Sequence, residues 1–89
     1  MQIERWLKFS RGQQIGAIVA EIARAKTWQK TDRTKSLSAI ERALELIDST
    51  INDKRWQGQR SMLFWLRQEL SKFYLDDNRK DIGVLYNAL

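Results

Sequence analysis

A periodic stripe in the middle of the chain constrains the fold more than any other feature. Its apolar side chains recur at alternating spacings of three and four residues: Leu37, Ile40, Leu44, Ile47 and Ile51. This spacing places all five on one side of an α-helix, because side chains three or four positions apart lie above one another. The stripe therefore predicts a central helix, and the rest of the chain is interpreted as what covers it.

Two helices are predicted before this stripe. Residues 3–7 have the spacing of a short amphipathic helix, and the Ser-x-x-Gln pattern at 10–13 is typical of the capped start of a longer one. One face of the longer helix carries Ile15, Ile18, Ile22 and Ala25. The polar segment 26–35 has no apolar period and is predicted to be the longest connection in the chain. Ser36 or Ser38 is expected to cap the central helix that follows.

Two more helices are predicted after the stripe. Asn52 and Asp53 form a short turn, which makes the helices on either side antiparallel neighbours, and Asp53 is a candidate cap. The helix after this turn keeps the three-four spacing at Trp56, Leu63, Leu66, Leu70 and Phe73. Gln59 falls within that seam, where a polar side chain can fix the register.

Acidic and amide residues are predicted to end this third main helix and to cap a short last one: Asp76, Asp77 and Asn78. The last helix has an apolar face of Ile82, Leu85, Tyr86 and Leu89. The whole chain, residues 1–89, is predicted to be a single all-α domain. Its architecture is a small antiparallel helical bundle with three main helices and a short helix at each end.

Composition excludes most catalytic chemistry. The chain has no cysteine and no histidine, so it lacks thiolate chemistry, the usual general base near neutral pH and the commonest metal ligand. We therefore expect a protein that is not an enzyme and that uses no cofactor or metal ion. The longest apolar run, residues 15–20, is too short to span a bilayer, and no leader pattern is recognisable. A cytoplasmic protein with no membrane partner is expected.

Two apolar features predict self-association. Gly12, Gly16 and Ala20 step by four along one helix face and would let another backbone approach closely. Phe64 and Trp65 point roughly 120° to 140° away from the seam of their helix, so they need cover. The first or last helix, a second subunit, or a stacked ligand or base could supply it. We interpret these five residues as the interface of a homo-oligomer in a non-enzymatic interaction module, with another protein as an alternative partner.

The excess positive charge lies in the first third of the chain. Residues 1–35 hold eight basic and three acidic residues, whereas residues 36–89 hold eight of each, and the net charge is +5. The alternative function is therefore nucleic-acid binding, in which cations neutralise phosphates and an indole stacks on an unpaired base. Its candidate contacts are Arg5, Lys8, Arg11, Lys26, Trp28, Lys30 and Arg33. A solvated basic face, or a surface for an acidic protein or a membrane, would explain the same charge.

Two further charged sets have a functional and a structural interpretation. Glu41, Glu45 and Asp48 share the outer ridge of the central helix, and such carboxylates can hold Mg²⁺ or Mn²⁺ between helices. A solvated acidic face is the preferred interpretation. Arg60 and Arg67 lie one heptad apart and could clamp an anionic ligand, but pairing with acids of the central helix is preferred.

Overall fold

The computed structural model describes residues 3–75 and 81–89, and its regular elements there are all helical. They are α1 (Ile3–Leu7), α2 (Arg11–Trp28), α3 (Arg33–Ile51), a 3₁₀ helix (Lys54–Gln59), α4 (Arg60–Leu75) and α5 (Gly83–Asn87). The long helix α3 packs against both α2 and α4, and α5 packs on α2. The predicted all-α bundle, with three main helices and a short helix at each end, is confirmed. None of the helices described is both apolar enough and long enough to cross a bilayer.

The core lies where α2, α3 and α4 meet. Its largest fully buried apolar side chains are Ile18, Ile22, Ile47, Leu63, Leu66, Leu70 and Ile82. The predicted inner faces of α2 and α4 are therefore correct, because their three-four spacing places these residues on the inner side of each helix. Trp56 is also buried, whereas Phe73 and Tyr86 are partly buried against the same cluster and Leu89 is half-exposed.

The buried face of α3 is wider than the predicted stripe and is turned from it by roughly 60°. Ile40 and Ile47 are buried as expected, but Leu44 and Ile51 are only partly buried. The most buried positions also include the small residues Ser36, Ala39, Ala43 and Thr50. This wider face follows from the position of α3 between α2 and α4. Its small residues allow one of these two helices to pack closely, and the stripe contacts the other.

The predicted connection over residues 26–35 is wrong. Helix α2 continues to Trp28 and α3 begins at Arg33, so the connection is only residues 29–32. Asp32 caps α3, because its carboxylate accepts the backbone N–H of Lys35 at 3.1 Å. The predicted caps at Ser36 and Ser38 are also wrong, since both lie inside the helix. The buried Ser36 hydroxyl instead donates to the carbonyl of Ala25 on α2 at 2.9 Å.

The capped turns elsewhere follow the sequence more closely. Ser10 and Gln13 form the predicted capping box at the start of α2. Asp53 acts as a cap, accepting the backbone N–H of Arg55 at 3.0 Å, but it opens a 3₁₀ helix before α4 begins. Gln59 is exposed, so its predicted role in a buried seam is wrong. The predicted stop and cap at residues 76–78 lie outside the described residues.

Candidate functional site

The outer face of α4 carries two adjacent aromatic side chains in contact with solvent. Phe64 is 55% exposed and Trp65 is 44% exposed, so neither α1 nor α5 covers them. Their orientation follows from the inward packing of Leu63, Leu66 and Leu70, which occupies the opposite side of the helix. Among the described residues, the first and last helices therefore do not supply the cover that the sequence analysis considered.

The side chains on the same outward side of α4 include both uncharged and charged residues. Ser61 and Gln68 lie on the same outward side, one turn before and one turn after the aromatic pair, and the partly exposed Met62 is at its edge. The charged side chains at its borders are paired within the chain: Lys72 donates to Glu69 at 2.8 Å, and the Nε of Arg67 donates to Asp48 on α3 at 2.6 Å. We refer to Ser61, Met62, Phe64, Trp65 and Gln68 as the α4 outer patch.

The row of small residues lies on a different helix from this patch. Gly12, Gly16 and Ala20 are exposed on the side of α2 opposite the core. A Cβ atom added at Gly16 would meet no atom within 4 Å, and one at Gly12 would meet only the Ser10 hydroxyl at 3.9 Å. No described residue from another element approaches Gly12 or Gly16 closely, so the described packing does not require glycine at either position.

Replacing Gly16 by alanine is expected to raise the free energy of unfolding by about 0.5 to 1 kcal/mol, since glycine inside a helix costs conformational entropy and the added methyl meets nothing. Urea denaturation at a fixed protein concentration measures this change. If the row forms a close helix contact between copies, the same substitution also weakens self-association. Self-association that is unchanged in Gly16→Ala would exclude the row from the interface.

The basic residues proposed to contact nucleic acid do not form one surface. Arg5, Lys8 and Arg11 lie near the start of α2, whereas Lys26, Trp28, Lys30 and Arg33 lie near its end. Arg11 and Lys26 are separated by fifteen residues of helix, or roughly 22 Å at the rise of an α-helix.

Several of these cations also have partners within the chain. The Arg11 guanidinium lies 4.7 Å from the centre of the Trp56 ring, and the Lys26 ammonium lies 5.0 Å from that of Tyr86. Lys30 lies 3.5 Å from the Asp81 carboxylate. The stacking role proposed for Trp28 is opposed by Lys35, whose ammonium already sits 4.2 Å from the centre of that indole.

A cavity between the end of α2 and the start of α3 gathers cations that the sequence pattern did not single out. It measures about 310 Å³ and is lined by Arg24, Trp28, Thr34, Lys35, Ser38 and Arg42. We call it the basic pocket. Its three cations are spread over nineteen residues of sequence, and only the antiparallel packing of α2 on α3 brings them together. The sequence pattern of a single helix therefore does not reveal the basic pocket.

The two remaining charged sets have structural contacts. Arg67 pairs with Asp48 as predicted, but the Nε of Arg60 donates to the backbone carbonyl of Ile51 at 3.1 Å instead of to an acid. Glu41 accepts the Tyr74 hydroxyl, and this hydrogen bond raises the pKa of Tyr74 above its usual value. In the part of the chain that the structure describes, no three acidic side chains converge in an arrangement that could hold a metal ion.

A buried polar network joins α1, α2, α3 and the 3₁₀ helix, and the sequence analysis missed it. The fully buried Gln14 donates to the backbone carbonyl of Trp6 at 3.0 Å and to Asp53 at 3.1 Å. Its amide oxygen accepts the indole N–H of Trp56 at 2.6 Å. The indole N–H of Trp6 donates to the Thr50 hydroxyl at 3.0 Å. These bonds hold the N-terminal helix on the bundle.

Asp53 gives this network a pH dependence. The side chain of Arg55 donates to the Asp53 carboxylate at 2.7 Å, and this bond, together with donors from the Arg55 backbone and Gln14, holds the pKa of Asp53 well below its usual value. Below about pH 4 the unfolded chain takes up a proton that the folded chain does not, so the unfolding free energy falls. Urea denaturation between pH 7 and pH 2 should show this loss. Asp53→Asn should flatten the fall, whereas replacement of the exposed Glu45 by glutamine should leave it in place.

Comparison with known proteins gives no further guide to function. No protein-family model, characterised protein or solved structure matches this chain. The function must therefore follow from the residues and contacts described above.

Proposed function

We propose that this chain is a non-enzymatic interaction module that forms homodimers through the α4 outer patch. The observation that carries the proposal is the pair of adjacent half-exposed aromatic rings, Phe64 and Trp65, on the outer side of a long helix. Contiguous exposed apolar surface on a small protein marks a contact with another molecule, and aromatic residues dominate the energy of such contacts. A cytoplasmic location remains a prediction from the sequence.

A second copy is the occupant that the charges of the patch favour. In a twofold-symmetric contact the residues close to the axis meet their own equivalents, so a charge at the centre would face the same charge. The five residues of the α4 outer patch carry no charge, and the charges at its borders are paired within the chain, Lys72 with Glu69 and Arg67 with Asp48. The patch can therefore pair with itself without like-charge repulsion across the contact.

The exposed area of the two rings is that of a weak, reversible dimer, since stable specific interfaces bury about 1,200 to 2,000 Å² in total. An aromatic side chain buries about 150 to 250 Å² in full, so two half-exposed rings in each of two copies would bury roughly 400 Å². At about 25 cal/mol per Å² this burial contributes roughly 10 kcal/mol, whereas association costs about 4 to 15 kcal/mol. Because the two terms are similar in size, dimerisation is expected to depend on protein concentration.

Nucleic-acid binding through Arg5, Lys8, Arg11 and the basic residues at the end of α2 is the alternative proposal. Its support is the excess charge of the first third of the chain. The division of these residues between two ends of α2, and the internal partners of several of them, weaken that support.

The two proposals predict opposite effects of salt concentration on binding. Each copy carries a net charge of +5, so raising NaCl from about 50 to about 500 mM screens repulsion between copies and should strengthen the dimer. Light scattering at constant protein concentration measures this effect. The same increase should weaken any complex with single-stranded RNA in a fluorescence anisotropy titration, because such binding releases counterions. A dimer that dissociates as salt rises would contradict an apolar interface.

A further inference from the structure

The basic pocket has the composition of an anion site and lies apart from the α4 outer patch. Arg24 and Trp28 come from the last turns of α2, and the four other lining residues come from the first half of α3. Its volume of about 310 Å³ is at the lower end of the range of small-molecule sites. The pocket thus has room for a small charged ligand.

A buried carboxylate holds two of the three cations in place. Glu21 is buried on α2, and its two carboxylate oxygens bind Arg24 and Arg42, one from each helix. Each guanidinium has five N–H donors, so pairing with Glu21 leaves donors free to bind a ligand. Both arginine side chains remain about half-exposed or more, which places these donors within reach of solvent.

The third cation is positioned by an aromatic ring. The Lys35 ammonium lies 4.2 Å from the centre of the Trp28 indole, an attraction that restricts a side chain that would otherwise be flexible. Thr34 and Ser38 complete the lining, and neither hydroxyl has a hydrogen-bond partner among residues 3–75 and 81–89. Two hydroxyl donors thus stand beside three cations.

We propose that the basic pocket binds a dianionic phosphate monoester. Arg24, Lys35 and Arg42 contribute three positive charges and Glu21 one negative charge, so the net local charge is three minus one, or +2. A phosphate monoester carries about −1.5 to −2 at neutral pH and offers three acceptor oxygens. Arginine, lysine and hydroxyl donors are the groups that bind such oxygens. In this site Trp28 orients Lys35 instead of stacking on a base.

The test is a calorimetric titration of the whole chain at constant ionic strength with three probes: inorganic phosphate, ribose 5-phosphate and adenosine 5′-monophosphate. Saturable binding of ribose 5-phosphate or adenosine 5′-monophosphate is expected, with the affinity reduced about tenfold or more in Lys35→Gln, because a hydrogen bond to a charged group is lost. Ser38→Ala should reduce the affinity about threefold or more. Arg24 and Arg42 are left unchanged, since their replacement would also unpair the buried Glu21.

Lys54→Gln is the matched control, because it makes the same change of charge at an exposed residue of the 3₁₀ helix. The affinity of this variant for each probe should stay within about twofold of that of the original protein.

A dissociation constant for adenosine 5′-monophosphate within threefold of that for inorganic phosphate would mean that the pocket contacts only the phosphate group. A lower dissociation constant would mean that the nucleoside also contacts the protein. Both outcomes support the site. Absence of saturable binding for both monoesters, an unchanged affinity in Lys35→Gln, or an equal loss in Lys54→Gln would overturn the proposal. No residue of the α4 outer patch lines the pocket, so this test does not depend on self-association.

Discussion

Gln14→Leu is expected to lower the free energy of unfolding by about 3 to 5 kcal/mol. Leucine has nearly the volume of glutamine, so the loss comes from hydrogen bonds and not from a cavity. The Trp56 indole N–H loses its partner and Asp53 loses one of its donors, whereas the Trp6 carbonyl keeps the backbone N–H of Phe9 at 3.1 Å. A lost hydrogen bond to a charged group such as Asp53 costs about 1.5 to 3 kcal/mol. Each buried polar group left unsatisfied costs about 1 to 3 kcal/mol.

Urea denaturation at one fixed protein concentration measures this effect, because concentration alone shifts the apparent stability of a dimer. Gln57→Leu is the matched control, since Gln57 is exposed on the 3₁₀ helix and should change the unfolding free energy by no more than about 0.5 kcal/mol. A loss of less than 1 kcal/mol in Gln14→Leu would mean that the network contributes little to the fold.

The double variant Phe64→Ser with Trp65→Ser is expected to raise the dimer dissociation constant by at least about 100-fold. Both rings lie at the centre of the proposed contact, and each is removed from both copies. Because both side chains point away from the core, the far-ultraviolet circular dichroism spectrum of the monomer should not change. Light scattering over a concentration series measures the dissociation constant.

Val84→Ser is the control for this variant. Val84 is 63% exposed on α5, so the substitution also removes exposed apolar surface, but outside the α4 outer patch. It should leave the dissociation constant within about threefold of the original. An equal rise of the dissociation constant in Val84→Ser would indicate nonspecific apolar association. An unchanged dissociation constant in the double variant would mean that the contact lies elsewhere on the surface.

The sequence predicted those parts of the fold that depend on apolar period and local capping. The inner faces of α2 and α4 follow from residues such as Ile18, Ile22, Leu63 and Leu66, and Ser10 with Gln13 caps α2 as expected. The outward orientation of Phe64 and Trp65 also follows from helix geometry alone. Periodicity reports which side of a helix is buried, so it succeeds where large apolar residues occupy that side.

Apolar periodicity does not predict burial where polar or small residues occupy the buried positions. Ser36 is a residue type that often caps helices, but its hydroxyl donates to the Ala25 carbonyl instead. The residue that caps α3 is Asp32. Gln14 is fully buried although it lies in a polar segment, since three partners from distant parts of the chain satisfy its amide. Such satisfaction depends on tertiary contacts, and a single helix pattern does not contain them.

The basic pocket was missed for the same reason. The sequence indicated a basic first third and Trp28, but Arg42 lies in the balanced part of the chain and was passed over. Glu21 brings Arg42 and Arg24 together across the contact of α2 with α3. A buried acid in a helix with apolar neighbours at i+1 and i+4 was the available signal, because a buried charge requires partners.

The most direct test of self-association is the mass of the unmodified protein in solution. Sedimentation equilibrium from about 1 to about 500 µM covers the affinities expected of a small reversible interface. The average mass should rise from the 10.6 kDa of one chain toward twice that value as concentration increases. A mass that stays at 10.6 kDa over the whole range would contradict the proposal that two copies meet through the α4 outer patch.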